Sequence, residues 1–505
     1  MKKRIILILG IILLIICSLA VYVLFIRPDT GLVMEIKSPL RTMGNLSIRD
    51  IVFATDDFYF YPETVDAEEG WLRVPENRDI QNSRMITIHF IRFKSINKNH
   101  GYPVVYLAGG PGGSGTHSAA GDRYQLFMKM REVGDVIALD QRGAYGTDYY
   151  TPCPVSWKYP LDKPANVEVL DGIMKSYLDN CEKQVGDSIS IAGYNSKESA
   201  EDIDDLRKAL GVEKLNLWGI SYGTHLAFAY LRYFPDHVNK MVLAGVEGPN
   251  DTFKMPSQID TVLKRINNEI LADESARKVM PDFIGSFRST LKKLKNNPVT
   301  VTVTDERTNE KHSVVLGPLD LQLALYSLMG EREHIAEIVK HLYPIFHGDY
   351  TDLARLIYRG KSRNRELIMN VAMDCASGVT ADRLAEIEKE SKTSLIGYAP
   401  NFKLMARYSA WSKFDLGDQF RSPISSDVPA LFISGTLDAK TPPVNASEII
   451  KGFPNGKQLI IDGASHDDDL FLSSQKIGEE ILTFFKTRNT DIDAVHLDPI
   501  EFSLP

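Results

Sequence analysis

Cysteine is scarce in this 505-residue chain, with four in all. Cys17 falls in an apolar N-terminal run, which leaves Cys153, Cys181 and Cys375. Three is an odd number, so at most one bridge forms; Cys153 and Cys181 are the nearer pair, and three free buried thiols are the rival arrangement. Basic clusters are lacking beyond the first four positions, and the net charge is −8. A nucleic-acid partner therefore has no electrostatic footprint. Internal repeats and long low-complexity stretches are absent as well. The most glycine-rich turn, Gly109-Gly110-Pro111-Gly112-Gly113-Ser114-Gly115, is not followed by Gly-Lys-Ser/Thr, which argues against a phosphate loop. What remains is ordinary globular composition, 44% hydrophobic and 25% charged, in a chain long enough for a large core.

The N-terminus is read separately. Lys2, Lys3 and Arg4 precede an uncharged apolar run over residues 5–26. As a helix that run would span roughly 33 Å, against a hydrocarbon core of about 30 Å. A cleaved signal has a shorter apolar region and a small-residue cleavage site, so residues 1–27 are read as a membrane anchor, with signal cleavage as the rival. The basic flank stays inside and the rest lies outside the cytoplasm, where disulfides are permitted.

Short apolar runs read as strands at residues 71–74, 85–93, 104–107, 135–139, 215–218, 241–246, 430–434 and 458–461. Several are continuous rather than alternating, the pattern of strands buried on both faces of a parallel sheet. Helical patterns at 199–210 and 224–234 separate some of them, which predicts an α/β architecture. Between residues 250 and 425 the alternation stops and helical periodicities take over, broken by one β-like pair at 299–303 and 313–316. The expected organisation is therefore an α/β core over residues 28–249 and 426–486, a mainly helical cap over 250–425, and a polar, irregular tail over 487–505. A cap belongs over the carboxyl edge of the sheet, where ligands of such sheets bind.

The sharpest chemical signal is Gly219-Ile220-Ser221-Tyr222-Gly223, between an apolar strand and a helical pattern. That is a nucleophile elbow, whose tight turn presents Ser221 at its tip. A serine hydroxyl needs a base. Among eleven histidines, His466 follows the last core strand in a Gly463-Ala464-Ser465 turn, whereas His225 falls inside the helix after the elbow. The orienting acid is Asp438, just past the strand at 430–434; Asp462 is a rival, but close to His466 in the chain. Oxyanion donors are expected from the glycine loop, at Gly112 or Gly113, and from the N–H of Tyr222. Ser221, Asp438 and His466 thus make up a candidate triad in the chain order of an α/β-hydrolase fold.

These motifs resemble the prolyl iminopeptidase and tripeptidyl aminopeptidase family of serine hydrolases. The resemblance rests on Gly109-Gly110-Pro111-Gly112, Asp140-Gln141-Arg142-Gly143, the elbow through Thr224, and Gly435-Thr436-Leu437-Asp438 with His466. Val74-Pro75-Glu76-Asn77 adds to it. It covers about residues 70–485 and is weakest in the cap. It implies removal of one to three residues from peptide N-termini, without metal or organic cofactor. The chain departs from the family at Ala144-Tyr145-Gly146-Thr147, and it has no cysteine before Trp411 to pair with Cys375, which makes Cys375 the unpaired thiol. Arg142 is read as structural, behind the oxyanion loop. An esterase or thioesterase on the same triad is the runner-up, since fold does not fix the acyl substrate; an inactive binding protein is the third reading. An aminopeptidase must meet its substrate's ammonium with carboxylates. Glu247, after the strand at 241–246, is the substrate-binding candidate, ahead of Glu331, Glu333 and Asp374. The partner is a peptide or small acyl substrate, and the oligomeric state is left open.

Overall fold

A computed structural model describes residues 32–55, 63–144, 147, 151–362 and 364–505. The apolar run at 5–26 lies outside the described residues. Among those residues no helix is long and apolar enough to cross a membrane.

A twelve-stranded sheet organises the core. An antiparallel part is built from β1 (Val33–Ile36), β2 (Arg41–Met43), β3 (Leu46–Ala54), β4 (Thr64–Pro75) and β5 (Met85–Phe93). β5 joins the parallel part antiparallel to β7. That part contains β6 (Val104–Leu107), β7 (Val136–Leu139), β8 (Leu215–Ile220) and β9 (Val238–Ala244), and β6 lies between β7 and β8. After a cap hairpin of β10 (Val299–Thr304) and β11 (Lys311–Leu316), the sheet resumes with β12 (Ala430–Gly435), β13 (Gly456–Asp462) and β14 (Ala494–His496). β12 pairs parallel with β9, so the two halves of the core meet in one sheet. β6, β7, β8 and β12 are buried along their whole length. That is why their sequences are continuously apolar.

The sheet is wider than the sequence reading. β3 carries Arg49 and Asp50 at its centre, which hides its apolar alternation. Both charges are met across the sheet: Arg49 Nε donates to Glu69 at 2.8 Å, and Asp50 accepts from Arg41 at 3.1 Å. The tail differs as well. Instead of an irregular end, β14 extends the sheet, and Ile500 and Phe502 are buried. The Ser503 N–H then donates to the Ala336 carbonyl in the cap at 2.8 Å.

The cap contains the helices Pro256–Ala272, Phe283–Asn296, Pro318–Leu328, Ile338–Phe346, Thr351–Lys361, Ile368–Ser377, Ala381–Ser391 and Phe402–Trp411. It also gathers residues from before the elbow. The helix Val167–Val185 packs on Phe402–Trp411. Cys153, bonded to Cys181, donates its N–H to the Glu366 carbonyl at 2.8 Å. Cys375 is a free, buried thiol that burial pushes up in pKa. The helix Pro318–Leu328 supplies Tyr326 to the cavity over Ser221.

Candidate active site

Ser221 stands between β8 and the helix Tyr222–Tyr233 with φ 54° and ψ −126°. A non-glycine residue holds such a backbone only when its surroundings impose it. Here the Ser221 N–H donates to the Ala244 carbonyl at 3.0 Å, and a Cβ on Gly223 would stand 1.9 Å from the Leu107 oxygen. Any side chain at Gly223 would push the elbow off the sheet.

His466 and Asp438 come together as a pair. The His466 Nδ1–H donates to Asp438 Oδ2 at 2.8 Å. Asp438 is fully buried and accepts three further bonds, from the Lys440 N–H at 2.8 Å, the Thr441 N–H at 2.7 Å and the Thr441 hydroxyl at 2.7 Å. Such a carboxylate fixes the imidazole's tautomer and stabilises its charged form. Asp462 is engaged elsewhere, by Thr436 at 3.0 Å and His496 at 3.2 Å. His225 is buried, with its ring nitrogens at 3.1 Å from the Gly248 carbonyl and from the Ser377 hydroxyl.

Ser221 and His466 line one cavity of about 680 Å³. The direct hydrogen bond expected between them is not formed among the described contacts; catalytic contacts of this kind commonly tighten only around substrate. Gly109, Gly110, Glu247, Lys254, Tyr326 and Lys440 share that cavity.

The glycine loop corrects the expected oxyanion donors. The Gly113 N–H is spent on the Gly109 carbonyl at 3.0 Å. Gly112 packs against the cap, where an added Cβ would meet Asn370 Oδ1 at 2.4 Å, and it is not on the cavity wall. Gly109 and Gly110 are on that wall, and a Cβ on Gly109 would stand 3.0 Å from Ser221 Cβ. Tyr222 opens its helix, so its N–H needs no intrahelical partner. The Tyr222 phenol is turned away, 2.9 Å from the Ser196 hydroxyl.

The Asp140-Gln141-Arg142 run holds this loop in place. Asp140 accepts from the Ser114 hydroxyl at 2.6 Å and from the Thr116 hydroxyl at 2.8 Å. Gln141 donates to the Ala108 carbonyl at 2.8 Å. Arg142 is fully buried, with Nε and Nη2 on the Asp202 carboxylate at 2.8 and 2.7 Å and Nη1 on the Glu76 and Gly193 carbonyls at 2.6 Å each. Its role is structural.

His89 sits behind Asp140, 2.8 Å from it and 3.2 Å from Glu69. Burial alone would lower its pKa, but the two carboxylates outweigh that and push it up to about 9. A raised histidine pKa adds stability that is complete below about pH 6.5 and is lost as pH rises through about 9. Urea unfolding should therefore show His89→Gln costing about 3 kcal/mol more at pH 6 than at pH 9.5. A pH-independent cost would leave the imidazolium without a role.

Glu247 is buried in the cavity wall, and its Oε2 accepts from Lys254 Nζ at 2.6 Å and its Oε1 from the Thr252 hydroxyl at 3.1 Å. Burial would raise its pKa, but the Lys254 ammonium overrides that and holds it below the usual carboxylate range. Glu331 and Glu333 are exposed. Asp374 lies 3.3 Å from Arg407, and burial pushes its carboxyl up to about 7. Lys254, Tyr326 and Lys440 carried no signal in the sequence, because lysines are ordinarily solvated and Tyr326 reads as one more apolar position of a cap helix.

The alpha/beta hydrolase fold family matches residues 102–314, which include the elbow, and a TAP-like protein family matches residues 407–495, which include Asp438 and His466. Both matches agree with an α/β-hydrolase fold for this chain. Its sequence is 29% identical over 197 residues to the serine protease Hip1 of Mycobacterium tuberculosis, covering 36% of each chain. It is 29% identical over 161 residues to the tripeptidyl aminopeptidase of Streptomyces lividans, covering 29% of each. It is 25% identical over 186 residues to a proline iminopeptidase of Xylella fastidiosa, covering 37% of this hydrolase and 42% of that enzyme. These matches span less than half the length of each relative.

Proposed function

We propose that this hydrolase is a serine peptidase that releases one or a few residues from peptide N-termini. The observation that carries the reading is the Asp438–His466 pair, whose histidine lines one cavity of about 680 Å³ together with Ser221 and the cap residue Tyr326. That volume suits a ligand of a few residues rather than a folded chain. Ser221 Oγ attacks the scissile carbonyl while His466 takes its proton; the proton then goes to the departing amine, leaving an acyl-enzyme on Ser221 that water hydrolyses. Asp438 holds the imidazole. The N–H of Tyr222 and an N–H of the Gly109–Gly110 turn receive the oxyanion. The relatives' names support peptide substrates.

Glu247 is the proposed carboxylate for the substrate's ammonium, and it already accepts an ammonium from Lys254. A free N-terminus would displace or share that lysine. This pairing also favours a second reading, an esterase or thioesterase, in which Glu247 and Lys254 simply neutralise each other. The two readings separate in one assay. The peptidase should hydrolyse free-amino peptides about a hundredfold faster than their N-acetylated forms. Glu247→Gln should narrow that ratio by about tenfold or more, the scale of a charge-assisted hydrogen bond. Equal rates on free and acetylated peptides would promote the esterase.

The proposed location is the outer side of a membrane, anchored by residues 1–27. The support is the apolar run at 5–26 together with the Cys153–Cys181 bridge, a bond of oxidising compartments. Deleting residues 1–27 should move activity from the membrane to the soluble fraction. Activity that is soluble before the deletion would favour a cleaved signal instead.

A further inference from the structure

The basic side chains on the wall of the Ser221 cavity are tied to carboxylates, with one exception among the described residues. Lys254 sits on Glu247 at 2.6 Å. Arg123 is held by Asp467 and, at 2.6 Å, by Asp468. Lys440 lies on the same wall, yet among the described residues no carboxylate comes within ion-pair distance of its Nζ. Its ammonium donates one hydrogen bond, to the Tyr326 carbonyl at 3.1 Å, and lies 3.6 Å from the centre of the Tyr326 ring. An ammonium has three donors, so two are left without a protein partner. The ring face meets part of the charge, and a half-buried ammonium with donors to spare is stabilised further by an anion beside it.

On the reading of the site given above, we propose that Lys440 receives a carboxylate of the substrate, so that the enzyme prefers substrates bearing one near the bond it cuts. Position supports this. The Lys440 N–H is bonded to Asp438 at 2.8 Å, so its side chain starts beside the triad's acid and reaches the cavity that His466 and Ser221 also line. Chemistry supports it too, because a charge-assisted bond gains strength in a cavity shielded from water. Burial pushes the Lys440 pKa down to about 8, with Asp438 opposing, so the group is still charged at neutral pH. The charged or titratable groups facing it are Asp438 on its own loop, Tyr326 and Glu331 from the cap, and Lys254.

Two sources of the carboxylate are open, the C-terminus of a short peptide and an acidic side chain. The test compares kcat/KM for tetra-alanine, its C-terminal amide, and amides with one alanine replaced by glutamate. Wild-type enzyme should prefer one carboxylate-bearing set over the neutral amide by about tenfold or more. A gain with the free acid identifies the C-terminus; a gain with glutamate identifies the side chain. Lys440→Met should bring that ratio to about one, whatever factor both substrates lose together, and Lys440→Arg should restore it. The wild-type preference should fade as pH rises through about 8, when the ammonium is lost. A second pair, the nitrophenyl monoester of succinate against nitrophenyl butyrate, asks the same question without an N-terminal amine. If peptides fail and the ester ratio still depends on Lys440, the carboxylate site stands and the aminopeptidase reading falls. No preference in wild type, or equal losses on charged and neutral substrates in Lys440→Met, overturns the proposal and leaves Lys440 as a tie between core loop and cap.

Discussion

Ser221→Ala is expected to lower kcat by about 10⁶, the scale on which loss of the nucleophile abolishes triad catalysis. The argument is one of position. Nothing else on the cavity wall combines a hydroxyl, a forced φ of 54° and a place at the N-terminus of a helix. Ser118 lines the cavity as well, but its hydroxyl donates to the Ser114 carbonyl at 2.9 Å. Folding should survive the change. The elbow is held by the Ser221 N–H on the Ala244 carbonyl and by the Gly223 contact on Leu107, neither of which uses the hydroxyl. Matching thermal unfolding of variant and parent, alongside the lost turnover, is the combined result to look for. Turnover within tenfold of the parent would remove Ser221 from the chemistry.

Asp438→Asn is expected to cost about 10⁴ in kcat, as loss of the orienting carboxylate does in a serine triad. Asp438 accepts four hydrogen bonds, two from backbone N–H groups, one from the Thr441 hydroxyl and one from His466. An asparagine has one accepting oxygen and one donating nitrogen. If its oxygen stays on the backbone N–H groups, as Oδ1 does now, its NH₂ faces His466 Nδ1. The ring must then carry its proton on the nitrogen that should accept from Ser221. If the amide flips, the NH₂ meets two N–H donors in a buried site, which costs stability. The first result shows as a large fall in kcat at near-constant KM, and the second as a lowered unfolding midpoint. A loss below tenfold would mean that another group orients the imidazole.

Much of this site is legible in the sequence because its chemistry is tied to local backbone. The elbow needs glycines on both sides of Ser221, and the Asp438 and His466 turns follow apolar strands, so pattern alone places them. The same holds for the continuous runs β6, β7, β8 and β12. Legibility ends where tertiary contacts decide. β3 is masked by Arg49 and Asp50, which become ordinary once Glu69 and Arg41 stand opposite. The helix Val167–Val185 joins the cap through the Cys153–Cys181 bridge and through Tyr177, whose hydroxyl accepts the Glu366 N–H at 2.8 Å. Such distant partners leave no periodic mark. The oxyanion loop fails for a finer reason: seven neighbouring residues include five glycines, and only the Gly113-to-Gly109 hydrogen bond tells which N–H is spent. Glu247 is found by its place after β9, but its partner Lys254 is invisible until the chain folds back seven residues later.

The central claim is that Ser221 is the nucleophile activated by His466. It is tested most directly by incubating the protein with a fluorinated alkyl phosphonate, which reacts covalently with an activated serine, and mapping the adduct by peptide mass spectrometry. The account predicts one adduct, on the peptide carrying Ser221, lost in Ser221→Ala and strongly slowed in His466→Ala. An adduct on another residue, or unchanged labelling of Ser221 without His466, would contradict it.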